Sequence, residues 1–145
     1  MPFLYRGTTA GWPGNLCLQR ERLTPTSTDP LVATLFGIEC RRWGRAILLL
    51  ADRAVLEGLL TSENVLADIE QEIVVMVSPS EFAQQYAFRE VPVDHARQAL
   101  QELGYELPVA ISSREALNEE IQIWRRLRDR EIAQFDALIQ ESQLP

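Results

Sequence analysis

Two short apolar runs, Ala46–Ala51 and Ile73–Val77, stand out from an otherwise mixed chain. The first, a short continuous apolar run, reads most simply as a buried strand. The segment Glu72 to Val77 is the strongest strand, because β-branched residues dominate it, and Pro79 ends it. Phe3-Leu4-Tyr5-Arg6 reads as a short first strand, followed by a glycine-rich loop from Gly7 to Asn15. Asp29-Pro30 marks a helix start, an N-cap side chain followed by proline at the first helical position. Leu31, Val32, Leu35, Phe36 and Ile38 then give that helix an apolar face, and Gly44 lies past its end. Asp52 is placed to cap a short helix through Leu60, with a polar loop over Thr61–Ile69. A further strand is expected near Tyr86–Val91, then a helix capped by Asp94 and stopped at Gly104.

The last third changes period. Ser112-Ser113-Arg114-Glu115 fits a helix start of the capping-box kind. Leu117, Ile121, Trp124, Leu127, Phe135 and Leu138 then recur at helical spacing, with one break between Leu127 and Phe135. This long amphipathic helix either packs on the sheet or presents a face to a partner, such as a second copy in a homodimer. The pattern as a whole predicts an α+β domain over residues 1–145, sheet-rich over 1–92 and helical over 93–145.

Composition narrows the chemistry. The net charge is −7, which disfavours a general nucleic-acid backbone binder. Lysine is absent, so every basic side chain other than His95 is an arginine. Schiff-base and phosphate-loop lysine chemistry are thereby excluded. One histidine cannot make a histidine-rich metal site, and no nucleophile motif surrounds it. Cys17 and Cys40 lack the spacing of a metal or redox motif and read as reduced thiols in a cytoplasmic protein. The opening residues show no signal-peptide pattern, and no apolar run is long enough for a membrane span.

Three features then appear in order. Tyr5-Arg6-Gly7 ends the first strand, Thr26-Ser27-Thr28 precedes the capped helix, and Glu70-Gln71-Glu72 opens the strongest strand. Over about residues 4–80 this order resembles the arginine–serine–glutamate arrangement of ADP-ribosyltransferases. The resemblance implies a split β-sheet core with flanking helices, and NAD as substrate with no metal. It implies Glu72 as the carboxylate beside the oxocarbenium-like ribose centre, since such a centre needs a fixed negative charge. Arg6, with Gly7, would hold the cofactor's phosphates, Ser27 would hydrogen-bond the ribose or orient Glu72, and Thr26 and Thr28 complete the cofactor-binding triplet. Glu70 sits where the family carries a glutamate associated with arginine acceptors, so a protein arginine is the implied acceptor. Trp12, Phe36 and Tyr86 are candidates to stack on nicotinamide. The alternatives are a non-catalytic interaction domain on the same core and a small NAD hydrolase.

Overall fold

The computed structural model describes residues 3–9, 24–41, 44–61, 72–102, 104, 106–124, 133, 134 and 137, with Thr61, Glu72 and Trp124 described for their backbone only. The strands are β1 (Phe3–Thr9), β2 (Thr24–Ser27), β3 (Ala46–Asp52), β4 (Leu60–Thr61), β5 (Glu72–Val75) and β6 (Ala87–Pro92). The helices are α1 (Pro30–Cys40), α2 (Val93–Glu102) and α3 (Arg114–Trp124). A 3₁₀ helix covers Arg53–Leu59, and a helical turn at Pro79–Glu81 runs into a π-type turn at Phe82–Tyr86. The architecture is α+β: one antiparallel sheet in the order β4-β5-β2-β1-β3-β6, with the helices against it.

The two faces of the sheet serve different cores. On β3, Ala46, Leu48 and Leu50 join Tyr5 of β1 and Val91 of β6 under the helices. Ile47, Leu49 and Ala51 join Leu4, Val75, Val77, Leu56 and Phe82 on the other face. The uninterrupted apolar run of β3 follows from this double burial, since alternate residues enter different cores.

Helix α1 starts as expected. The Leu31 N–H donates to Asp29 Oδ1 at 2.8 Å, and Pro30 occupies the first position. Its burial is wider than one apolar face: Leu31, Val32, Ala33, Thr34, Leu35, Gly37, Ile38 and Glu39 are all buried. The sheet covers one side, while α2 and α3 contribute Ala96, Leu100, Leu117 and Ile121 to the same core. Such a helix is apolar over most of its circumference because its neighbours cover most of it, leaving Phe36 and Cys40 half-buried.

Helix α2 begins one residue before the expected cap, at Val93, and Asp94 sits in its first turn. The buried Val93 continues directly from β6 into the core, and the acid still faces the positive end of the helix. Gly104 follows with φ of 90°, the left-handed conformation that favours glycine. At α3 the cap is Ser113, whose Oγ accepts from the Ala116 N–H at 3.1 Å. Leu117 and Ile121 are buried as the spacing requires. Leu127, Phe135 and Leu138, and the side chain of Trp124, lie outside the described residues.

The sheet is unevenly joined. β1 pairs with β3 along its whole length, from Phe3↔Asp52 to Thr9↔Ala46. β2 pairs with β5 from Thr24↔Val75 to Ser27↔Glu72. Between β1 and β2 there is a single register pair, Tyr5↔Ser27. Two three-stranded ladders, β6-β3-β1 and β2-β5-β4, therefore meet at one point.

Candidate functional site

The meeting point of the two ladders holds the residues singled out in the sequence. Tyr5 stands opposite Ser27, and Ser27 opposite Glu72, so three neighbouring strands carry them in one row. Arg6 is the next residue along β1, and Thr26 the one before Ser27 on β2. Positions 6, 27 and 72 are thereby neighbours along β1, β2 and β5, but by register position 72 shares the face of Ser27 and position 6 lies on the opposite face. Arg6, Thr24, Thr26 and Ser27 are all buried, an unusual concentration of polar side chains in so few residues.

The row has two faces. Tyr5 belongs to the core under the helices, and Leu4 to the opposite core. Alternation puts Arg6 on the Leu4 face of β1 and puts Ser27 on the Tyr5 face with its cross-strand partner. Thr26 therefore takes Arg6's face, and of the triplet it is the hydroxyl nearer the arginine by register. The Thr26 hydroxyl donates to the Ile73 carbonyl at 2.7 Å, and that of Thr24 to the Val77 carbonyl at 2.8 Å. Both tie β2 to the β5 side.

Arg6 Nη1 donates to the Pro25 carbonyl at 3.0 Å. Pro25 has no N–H, so it cannot carry a full ladder in the interior of a sheet. The arginine side chain supplies a donor to the carbonyl where the β1–β2 ladder stops.

Ser27 and Asp29 organise the start of α1. Ser27 Oγ accepts from the Asp29 N–H at 3.0 Å, and the Asp29 carboxylate accepts from Leu31. The first donors of α1 are thus met by its own cap, and the helix N-terminus does not offer them to a phosphate. Burial pushes the Asp29 carboxyl above its usual range, against the lowering effect of the Leu31 and Val32 N–H groups. Thr28 is half-buried between the two.

Gly7 has a packing role. A Cβ built there would lie 2.0 Å from the Ala33 carbonyl oxygen and 2.4 Å from the Gly37 nitrogen. Gly7 lets β1 and α1 touch backbone to backbone, which fixes the strand that carries Arg6. Glu70 and Trp12 lie outside the described residues. Phe36 packs against the core under the helices and Tyr86 against the other, so these two aromatics stand on opposite sides of the sheet. Reasoning from the sequence missed β2 as a strand and Pro25 as part of the site. The two threonines of Thr24-Pro25-Thr26-Ser27 were a weak strand signal, outweighed by the turn preference of its proline and serine.

Among the described residues, no group of three His, Cys, Asp or Glu side chains could hold a metal ion. No described helix is long and apolar enough to cross a membrane. No family model, no curated protein and no solved structure matches this chain.

Proposed function

We propose that this chain is a small ADP-ribosyltransferase-like domain that acts on NAD at the junction of β1, β2 and β5. The observation that carries the reading is the register Tyr5↔Ser27↔Glu72, with Arg6 beside it. Two of the three motif residues, at positions 27 and 72, share one row of the sheet with Tyr5, and Arg6 follows Tyr5 on the opposite face. Because the β1–β2 ladder stops at that row, a ligand seated where the strands part meets groups from both faces. In this reading Glu72 stabilises the oxocarbenium-like ribose as the nicotinamide leaves. Arg6 and the triplet Thr26, Ser27 and Thr28 hold the rest of the dinucleotide, Thr26 from the arginine's own face. Glu70 directs the ribose to a protein acceptor, an arginine side chain. An acceptor of positive charge also suits a surface of net charge −7.

One observation favours the second reading, a non-catalytic interaction domain. The Arg6 guanidinium serves the Pro25 carbonyl, as a purely structural arginine would. Nicotinamide release from NAD decides between them. Wild type should release nicotinamide, and Glu72→Gln should lower the rate by on the order of 10²–10³ while the fold is kept. Glu70→Gln should spare hydrolysis and lower transfer to an arginine analogue. Absence of both turnover and NAD binding in the wild type would overturn the NAD reading and favour the interaction domain instead. Hydrolysis unaffected by an added arginine analogue would identify an NAD hydrolase.

A further inference from the structure

We infer that Pro25 is a positioning residue, which keeps β1 and β2 apart beyond the Tyr5–Ser27 pair and thereby sets the guanidinium of Arg6 at the site. The function of that guanidinium rests on the NAD reading above; the positioning itself does not. In an extended residue the N–H and C=O point to the same side of the strand, and successive residues alternate sides. The Pro25 carbonyl accepts from Arg6 of β1, so it points toward β1. The N–H that proline lacks would have pointed the same way. By that alternation Thr24 and Thr26, on either side, turn their backbone groups toward β5, the strand that pairs with β2 along its length. The missing donor is thus on the edge of β2 that should have continued the ladder past Tyr5↔Ser27.

By the register of that pair, the next partner of residue 25 is Gly7. With an ordinary amino acid at position 25, its N–H and C=O would pair with Gly7, and the strands would close. Gly7 is held to α1 by the close approach at Ala33 and Gly37, so β1 stays in place and it is β2 that would move. Closure would take the carbonyl that Arg6 now uses. Proline therefore does two things with one substitution of chemistry: it removes the competing donor and leaves its carbonyl to the arginine. A proline in an interior strand, otherwise a defect, gains a physical reason.

The test is Pro25→Ala, with Arg6→Lys as comparison, in the full chain. The crystal structure of Pro25→Ala should show the residue 25 N–H bonded to the Gly7 carbonyl and Arg6 Nη1 no longer on the residue 25 carbonyl. Amide exchange at residue 25 should be slowed to the level of its neighbours in β2. NAD binding, measured by titration, should weaken about tenfold, the loss of one hydrogen bond to a charged group. Arg6→Lys should weaken it comparably without slowing exchange at neighbouring β2 amides. A freely exchanging residue 25 amide, with Arg6 still on the carbonyl, would overturn the positioning role. So would a closed ladder with unchanged NAD binding. If wild type binds no NAD, the function reading fails, and the structure and exchange of Pro25→Ala still decide the part played by Pro25.

Discussion

At the scale of single residues, Asp29 shows two effects of opposite sign in one carboxyl. Its Oδ1 caps α1 through Leu31, and its burial makes the charge costly. Asn keeps an acceptor at that place and carries no charge. Asp29→Asn should therefore match or exceed the wild type in stability at neutral pH, whereas Asp29→Ala should lose about 0.5–2 kcal/mol with the cap. The pH dependence has a definite direction. The folded-state pKa is raised above the usual 3.8, so the folded protein takes up the proton more readily than the unfolded chain. The contribution of Asp29 to stability improves as pH falls through the raised pKa toward 3.8, and its penalty is full above that window. Urea denaturation of wild type and Asp29→Asn, at neutral pH and near 3.8, reads this directly. The gap between the two proteins should shift in favour of wild type at the lower pH, and a gap independent of pH would remove the burial argument.

At the scale of elements, the strand–helix unit β1–α1 is built on absent side chains. Gly7 and Gly37 face each other, and Gly37 in turn sits under the Val93 side chain, which a Cβ there would approach to 2.6 Å. The atoms that a Cβ on Gly7 would strike are backbone, which cannot turn aside as a side chain can. Gly7→Ala should cost at least the upper end of the usual overpacking range, about 3 kcal/mol. Gly58, whose Cβ would meet nothing within 4 Å, is the control, and Gly58→Ala should stay within about 0.5 kcal/mol. Equal thermal midpoints for the two variants would show that β1 and α1 can move apart. The same elements explain what could be read in advance. β3 was legible because burial on both faces leaves no polar interruption, β5 because β-branched residues dominate it, and α1 because Asp29-Pro30 is a start signal written in local chemistry. β2 was not, because Thr-Pro-Thr-Ser has turn chemistry, and only the neighbouring strands make it extended. Gly7 read as a loop residue, since a packing glycine and a turn glycine look alike until the partner helix is placed.

At the scale of the whole molecule, the order of the site residues along the chain was legible, and their faces were not. Which hydroxyl accompanies Arg6 depends on the register of β2, a property set by three strands together and by no local sequence. The helix layer shows the same dependence on distant partners. Arg41, at the end of α1, pairs with Asp94 of α2 and donates to the Val109 carbonyl in the segment before α3 at 3.2 Å. Arg97 also reaches Asp94, at 3.5 Å. The Arg41 hydrogen bond, with the charges of Arg41 and Arg97, holds the Asp94 carboxyl below its usual range despite some burial. A depressed folded-state pKa means that the contribution of Asp94 is present above the usual 3.8 and is lost as pH falls through the folded value. The Asp94 side chain is 70% exposed, so solvent screens the pair and its worth is that of a surface ion pair. A double-mutant cycle of Arg41→Met and Asp94→Asn, measured by urea denaturation at neutral pH, should return a coupling of about 0.2–1 kcal/mol. In molar salt, where the screening length is about 3 Å, most of that coupling should disappear. The cost of Arg41→Met that remains should be small, because Val109 is exposed and water can take the place of the guanidinium at its carbonyl. A coupling that survives molar salt would mean that the clip between α1 and α2 is shielded from solvent, and that the helix layer is joined more tightly than its exposed charges imply.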